Sequence, residues 1–261
     1  MTARADIGVL GLGEAGSLIG ADLVRAGARV LGYDPAVSQA ADVPLAAGPA
    51  DVGRRGLVLA LTQAADALDA VRSVADDLAP DTTYADLSTA SPERKRELAA
   101  VVEASGASFA DVALMQSVPG RGLRTPALAC GPGAEATVAV LAGLGMPIEV
   151  LPGGVGAAAA RKLARSVFVK GMAAAIAESL AAGERLECAD WLRGDIGRTL
   201  DGADDAMVEH LVTGSRRHAV RREHEMQAAT SMLAELGVPP RIASATREWL
   251  GELAAGGRAA A

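Results

Sequence analysis

A chain of 261 residues, half of them apolar but only 2% aromatic, is long enough for one large domain or two smaller ones and must build its core from Ala, Leu and Val. Its formal charge of -7 excludes the basic footprint of a nucleic-acid binder. His210, His218 and His224 lack ligand spacing and Cys130 and Cys188 lie far apart, so no metal is expected and a reduced, cytoplasmic protein is.

Short apolar runs predict strands at Ile7–Leu10, Arg29–Tyr33, Leu57–Leu61, Thr83–Leu87, Ser108–Val112, Ala127–Cys130 and Ile148–Leu151. Helical patterns fall between them at Glu14–Arg25, Ala64–Leu78, Pro92–Ala104 and Ala134–Leu144, with Ser91 and Pro92 reading as N-cap and first helical residue of the third. This alternation predicts an α/β fold, a Rossmann-type doubly wound sheet that is mainly parallel. After Gly156 the strand pattern stops, and helices are predicted at Ala157–Leu186, Ala203–Thr213, Arg216–Leu236 and Arg241–Leu253. The stretch Leu151–Gly156 is the expected boundary, giving a dinucleotide-binding domain at 1–154 and an all-helical substrate and dimerisation domain at 155–261. Charges interrupt every apolar run before about 18 residues, so no membrane span is expected.

The first strand runs into Gly11, Gly13 and Gly16, spaced G-x-G-x-x-G at the start of a helix, and Asp34 ends the next strand. Gly11 suits a tight turn, Gly13 lets a pyrophosphate approach the backbone, and Gly16 lets helix and strand pack closely. Asp34 is placed to accept the adenosine ribose hydroxyls, and its carboxylate opposes a 2′-phosphate. The expected cofactor is NAD, with NADP as the alternative. Its contacts are expected from Gly11, Leu12, Gly13, Glu14, Ala15 and Gly16, from Asp34, and from Leu61, Thr62 and Ser88 at later strand ends.

Three stretches together resemble the β-hydroxyacid dehydrogenase family, which includes 3-hydroxyisobutyrate and 6-phosphogluconate dehydrogenases. They are the glycine motif with Asp34, the segment Ala85–Pro92 (ADLSTASP), similar to D-x-S-T-x-x-P, and Gly156–Ser166 (GAAAARKLARS), similar to G-x-G-x-x-x-K-x-x-N. The resemblance implies a Rossmann domain, a long interdomain helix and a helical domain. It also implies that Lys162 is the general acid/base and that Ser88 helps bind substrate or nicotinamide. Departures gather at the substrate end: Ala158 replaces a glycine, Arg165 an asparagine, and Asp111–Ser117 reads DVALMQS where the family has D-x-P-V-S-G-G. Ser88, Thr89, Met115, Gln116, Arg165 and Ser166 are therefore the expected substrate contacts, with Arg165 suited to an anionic group.

Only three of the 25 basic residues are lysines, Lys95, Lys162 and Lys170. A partly desolvated lysine can trade a proton near neutral pH, whereas arginine stays charged. The expected function is an NAD(P)-dependent oxidoreductase acting on a small, anionic β-hydroxy acid or related carbonyl compound. An imine reductase and a non-catalytic dinucleotide-binding protein are the alternatives. The alanine-rich surface of the first long helix suggests a homodimer.

Overall fold

The computed structural model describes residues 4–40 and 42–259. The alternating half contains β1 (Asp6–Leu10), α1 (Glu14–Arg25), β2 (Arg29–Tyr33), α2 (Pro49–Gly53), β3 (Leu57–Ala60), α3 (Ala67–Arg72), β4 (Thr83–Asp86) and α4 (Pro92–Ala104). It continues through β5 (Ser108–Leu114), β6 (Ala127–Cys130), α5 (Ala134–Gly143) and β7 (Ile148–Val150). The strands form one seven-stranded sheet in the order β2-β1-β3-β4-β5-β6-β7. All neighbours are parallel except β5 and β6, which pair antiparallel with Asp111 opposite Cys130. The order reverses at β1, so the carboxyl ends of β1, β2 and β3 open a crevice of the kind in which parallel sheets bind ligands.

Side-chain alternation gives the sheet two apolar faces. Ile7, Val9, Leu59, Ala85 and Val112 point to the layer that holds Ile19 and Leu23 of α1 and Leu141 of α5. Leu10, Val58, Ala60, Tyr84 and Phe109 point to the layer that holds Val71 of α3 and Leu98 and Val102 of α4. In the second layer the rings of Tyr84 and Phe109 stack with centroids 6.2 Å apart and planes at 16°.

Some element boundaries differ from the sequence reading, each for a local reason. The helix expected at Ala64–Leu78 is only α3 plus a 3-10 turn at Ala75–Asp77. Ser73 Oγ donates to the Ala70 carbonyl at 2.7 Å, competing with the helical ladder, and Asp76 and Asp77 would sit unfavourably at a helix C-terminus. α2 carries its signal in the sequence, a proline at its first position, but spans only five residues.

The helical half contains α6 (Ala157–Arg185), α7 (Ala189–Asp201), α8 (Asp205–Arg217), α9 (Ala219–Glu235) and α10 (Arg241–Ala259). α7 was not expected, because Gly194 and Gly197 depress its helix propensity. The chain divides into two compact units, Met1–Arg165 and Ser166–Ala261. The sheet ends near the expected boundary, but the division itself falls within α6, whose first turn is bonded into the sheet domain through Asp111. The second unit has a small core of Ala182, Leu233, Val238 and Ala243. Glu178 of α6 accepts hydrogen bonds from the amides of Ile242 and Ala243 at 2.9 and 2.8 Å, capping the start of α10. By length and mean hydropathy (1.2), α6 is long and apolar enough to cross a membrane, and 11% of that apolar window is buried. The charge interruptions noted in the sequence do not remove it from that class.

Phe109 is fully buried between the sheet and α4. Phe109→Ala is expected to cost about 3–5 kcal/mol of stability, read as a lowered denaturation midpoint at unchanged slope.

Candidate functional site

The turn after β1 is shaped by contacts that exclude side chains. Gly11 has φ +87°, a left-handed conformation that disfavours any Cβ. Its N–H donates to the Tyr33 carbonyl at 2.9 Å, while the Leu61 N–H donates to the Leu10 carbonyl at 2.7 Å, so the turn is held between β2 and β3. A Cβ on Gly16 would stand 1.9 Å from the Gly11 carbonyl oxygen, so the start of α1 rests directly on the turn. A Cβ on Gly13 would meet nothing within 4 Å, and it would project into open space. Gly13 is the N-cap of α1 and offers no side-chain acceptor, which leaves the helix's first amides available to an anion.

Asp34 is fixed by the same turn. Its Oδ2 accepts the Leu12 N–H and its Oδ1 the Ala36 N–H, both at 2.8 Å. Each oxygen keeps a lone pair, the pattern needed to accept two ribose hydroxyls. A cleft of about 670 Å³ opens here, walled by Gly11, Gly13, Asp34, Leu61 and Thr62. Thr62 Oγ1 is buried without a hydrogen-bond partner. The open space at Gly13, the free amides of α1, the half-satisfied Asp34 and the orphaned Thr62 hydroxyl fit a nicotinamide dinucleotide. Among the described residues three carboxylates, Asp34, Asp66 and Asp69, stand on the cleft wall and no arginine or lysine does. Leu12 is buried, Glu14 exposed and Ala15 half-buried within the loop.

Beyond β4 lies a cluster that the motifs did not announce. Lys95 of α4 is 1% exposed, and Asp86 and Asp111 are fully buried. Lys95 Nζ stands 2.6 Å from Asp86 Oδ2 and 3.1 Å from Asp111 Oδ1, and donates to the Asp86 carbonyl at 2.8 Å. The Asp111 contact is within ion-pair range but not aligned as a hydrogen bond, and Asp86 Oδ1 has no hydrogen-bond partner. Two carboxylates face one ammonium, so the excess negative charge needs another source of compensation. It comes from α6: the Gly156 and Ala159 amides each donate to Asp111 Oδ2 at 3.1 Å, bringing the positive end of the helix dipole onto the carboxylate.

Ser88 joins this cluster by donating its Oγ hydrogen to Asp86 Oδ2 at 2.7 Å, while Thr89 is exposed. The helix-capping duty in this turn belongs to Ser91, which accepts the Arg94 N–H at 3.2 Å. Cys130 lies beside Asp111, and the Ala158 N–H points to its sulfur at 3.3 Å. Burial pushes the Cys130 thiol up, against the lowering effect of that amide. Burial also pushes the Tyr84 hydroxyl well above its usual range, and the Asp86 charge adds to the effect.

Met115 is half-buried against Ala113, Cys130 and Ala158, and Gln116 is exposed. Lys162 is half-buried one turn along α6 from Ala159, and Arg165 (exposed) and Ser166 (half-buried) follow within the next turn. Of the expected cofactor residues, Gly11, Gly13, Asp34, Leu61 and Thr62 line one cleft, while Ser88 lies instead at the buried ion cluster, where the helix that carries Lys162 also begins. Lys95 was missed because one lysine in PERKREL reads as part of a solvated helix face. Gly16→Ala is expected to weaken NADH binding at least about tenfold, in a protein of unchanged circular dichroism, because the added methyl must separate α1 from the turn. A fluorescence titration checks it.

Residues 6–120 match the NAD binding domain of 6-phosphogluconate dehydrogenase, and residues 184–253 match a domain of unknown function, DUF1932. No curated protein matches the chain. A conserved hypothetical protein from Sinorhizobium meliloti 1021 is similar at 26% identity and TM-score 0.63, over 96% of this chain and 88% of its own. A conserved protein of unknown function, described as structurally similar to 3-hydroxyacid dehydrogenases, is 27% identical with TM-score 0.63, over 95% of this chain and 96% of its own. An imine reductase from Myxococcus stipitatus, solved with NADP+, shares the fold at TM-score 0.83 and 18% identity, over 96% and 94% of the two chains. The sheet domain is an NAD-binding domain, and the chain has an NAD(P)-binding dehydrogenase/reductase fold related to 3-hydroxyacid dehydrogenases and imine reductases. The chain thus carries an NAD-binding domain of the 6-phosphogluconate dehydrogenase type followed by a DUF1932 domain, a pair typical of β-hydroxyacid dehydrogenase-like proteins.

Proposed function

We propose that the protein transfers a hydride between NAD and a small, anionic β-hydroxy acid or related carbonyl compound, with Lys162 as general acid/base. The observation that carries this reading is the cleft at the carboxyl ends of β1, β2 and β3, in which Gly13, Asp34 and Thr62 present an open cradle, a carboxylate and an unpartnered hydroxyl. A nicotinamide dinucleotide held by these residues would supply the hydride chemistry at the substrate carbon. Lys162 gives its ammonium proton to the carbonyl oxygen in reduction and takes the hydroxyl proton in oxidation, an effect worth about 10²–10⁴ in rate. Arg165, one turn further along α6, suits the substrate's anionic group. Thr89, Gln116 and Ser166 are the remaining substrate contacts in this reading.

The acidic cleft wall supports NAD over NADP, since a 2′-phosphate would face Asp34, Asp66 and Asp69. NADH is expected to bind at least about tenfold tighter than NADPH in parallel fluorescence titrations. The reverse order would overturn the NAD assignment, and binding of neither would remove the oxidoreductase reading. With a turnover substrate in hand, Lys162→Ala is expected to lose about 10²–10⁴ in kcat while keeping its NADH affinity. A second reading, imine reduction, draws on Met115, an apolar side chain where the family motif has serine. Turnover of a cyclic imine together with failure on every hydroxy acid tried would decide for it.

We also propose a homodimer that works in the cytoplasm. Both cysteines are free thiols, in keeping with a reducing compartment. Val167 and Phe168 on α6 are 77% and 66% exposed, and Trp191 on α7 is 65% exposed. Exposed apolar groups of this size on neighbouring helices are characteristic of a surface that a second chain covers. Light scattering at micromolar concentration is expected to give twice the chain mass of 26.3 kDa, and a monomer would rule the dimer out.

A further inference from the structure

We infer that Lys95 is a positioning residue: its buried ammonium locks the loop that carries Ser88 and the helix that carries Lys162 into one register. The inference rests on the catalytic role proposed for Lys162, but its geometry lies entirely within the sheet domain. Asp86 ends β4, and besides meeting the ammonium at 2.6 Å it accepts the Ser88 hydroxyl at 2.7 Å. Asp111 lies beside it in register on β5, and besides meeting the ammonium at 3.1 Å it accepts two amides from the first turn of α6. Among the described residues Lys95 is the only group that touches both carboxylates, and it reaches them from a third element, α4.

The first turn of α6 is gripped from several sides at once. Gly156 and Ala159 are bonded to Asp111, Ala158 to Cys130, and a Cβ on Gly156 would stand 2.9 Å from Pro92 at the head of α4. Lys162 follows Ala159 by three residues, on the same side of the helix. A shift of Asp111 therefore moves the base of the segment that presents Lys162. Without the ammonium, Asp86 and Asp111 are like charges on adjacent strands and repel. The cluster costs desolvation of three charged groups, and a hydrophobic replacement would supply plain stability more cheaply. What the ion cluster supplies instead is a fixed relation between Ser88 and Lys162.

The test needs no substrate, because the chain has only three lysines and one of them is buried. Trace acetylation with acetic anhydride at one near-neutral pH, read by peptide mass spectrometry, gives the reactivity of Lys162 relative to exposed Lys170. Asp111→Asn, which disturbs the cap directly, is expected to change that ratio by about threefold or more, equivalent to a half-unit change in effective pKa. Asp86→Asn is expected to change it by a similar factor, although Asp86 makes no bond to α6, because its effect passes through the ammonium. An unchanged ratio in Asp86→Asn would show that Asp111 holds α6 alone and would overturn the coupling. An unchanged ratio in both variants would overturn the positioning role altogether, since a cluster that only stabilises lowers the unfolding midpoint and leaves folded-state reactivity alone.

Retained NADH binding serves as the check that each variant is folded. If Asp86→Asn fails to fold, the double variant Lys95→Met with Asp86→Asn decides. It leaves a single carboxylate still capped by the α6 amides, and the same threefold change is expected. Loss of the catalytic reading for Lys162 would appear as normal turnover in Lys162→Ala and would leave these labelling ratios as they stand.

Discussion

The contact between Gly16 and the Gly11 carbonyl oxygen sets the geometry of the nucleotide end. No side chain fits there, so α1 sits against the turn and its first amides face the cleft. The Leu12 amide, set by the same turn, reaches across to Asp34, which ties the end of β2 to the end of β1. β3 then closes the far side through Leu61 and Thr62. The α1 amides, the Asp34 carboxylate and the Thr62 hydroxyl are all set close to the backbone, and none of them is placed by a long flexible side chain.

One strand further along the same edge of the sheet, at the carboxyl end of β4, electrostatics take over the role that steric fit has at the nucleotide cleft. A lysine and two aspartates sit away from water, with the Lys95 ammonium against both carboxylates and the start of α6 bonded to Asp111. This arrangement explains why a sheet otherwise filled with Ala, Val and Leu tolerates Asp86 and Asp111 at fully buried positions. The antiparallel turn into β6 makes it possible, since it brings the chain back alongside Asp111 before α6 begins.

Much of the fold was legible in the sequence where local chemistry and tertiary burial agree. Arg29–Tyr33, Ala127–Cys130, Glu14–Arg25 and Pro92–Ala104 form the elements expected of them, each bounded by glycine, by an N-cap or by a sharp change in polarity. The glycine turn between β1 and α1 was legible for the same reason, because glycines spaced between a strand and a helix have few other uses. The reading failed where the deciding contact is distant. α7 forms despite two glycines, and α3 stops early where Ser73 finds a nearer acceptor. Lys95 shows the same limit from the site's side: its partners come from two other elements, and only the folded chain brings them together.

The anchoring of α6 by Asp111 has a consequence for the connecting segment before it. Residues 152–154 are exposed, Gly153 has φ +130°, and a side chain on Gly154 would meet nothing within 4 Å. The helix takes its position from a carboxylate on β5, so the segment need only span the gap without setting an angle. Apart from Gly153, whose φ favours glycine, its length and composition are thereby released from the demands of the site, and the segment can drift in sequence while the start of the helix keeps its place on the sheet.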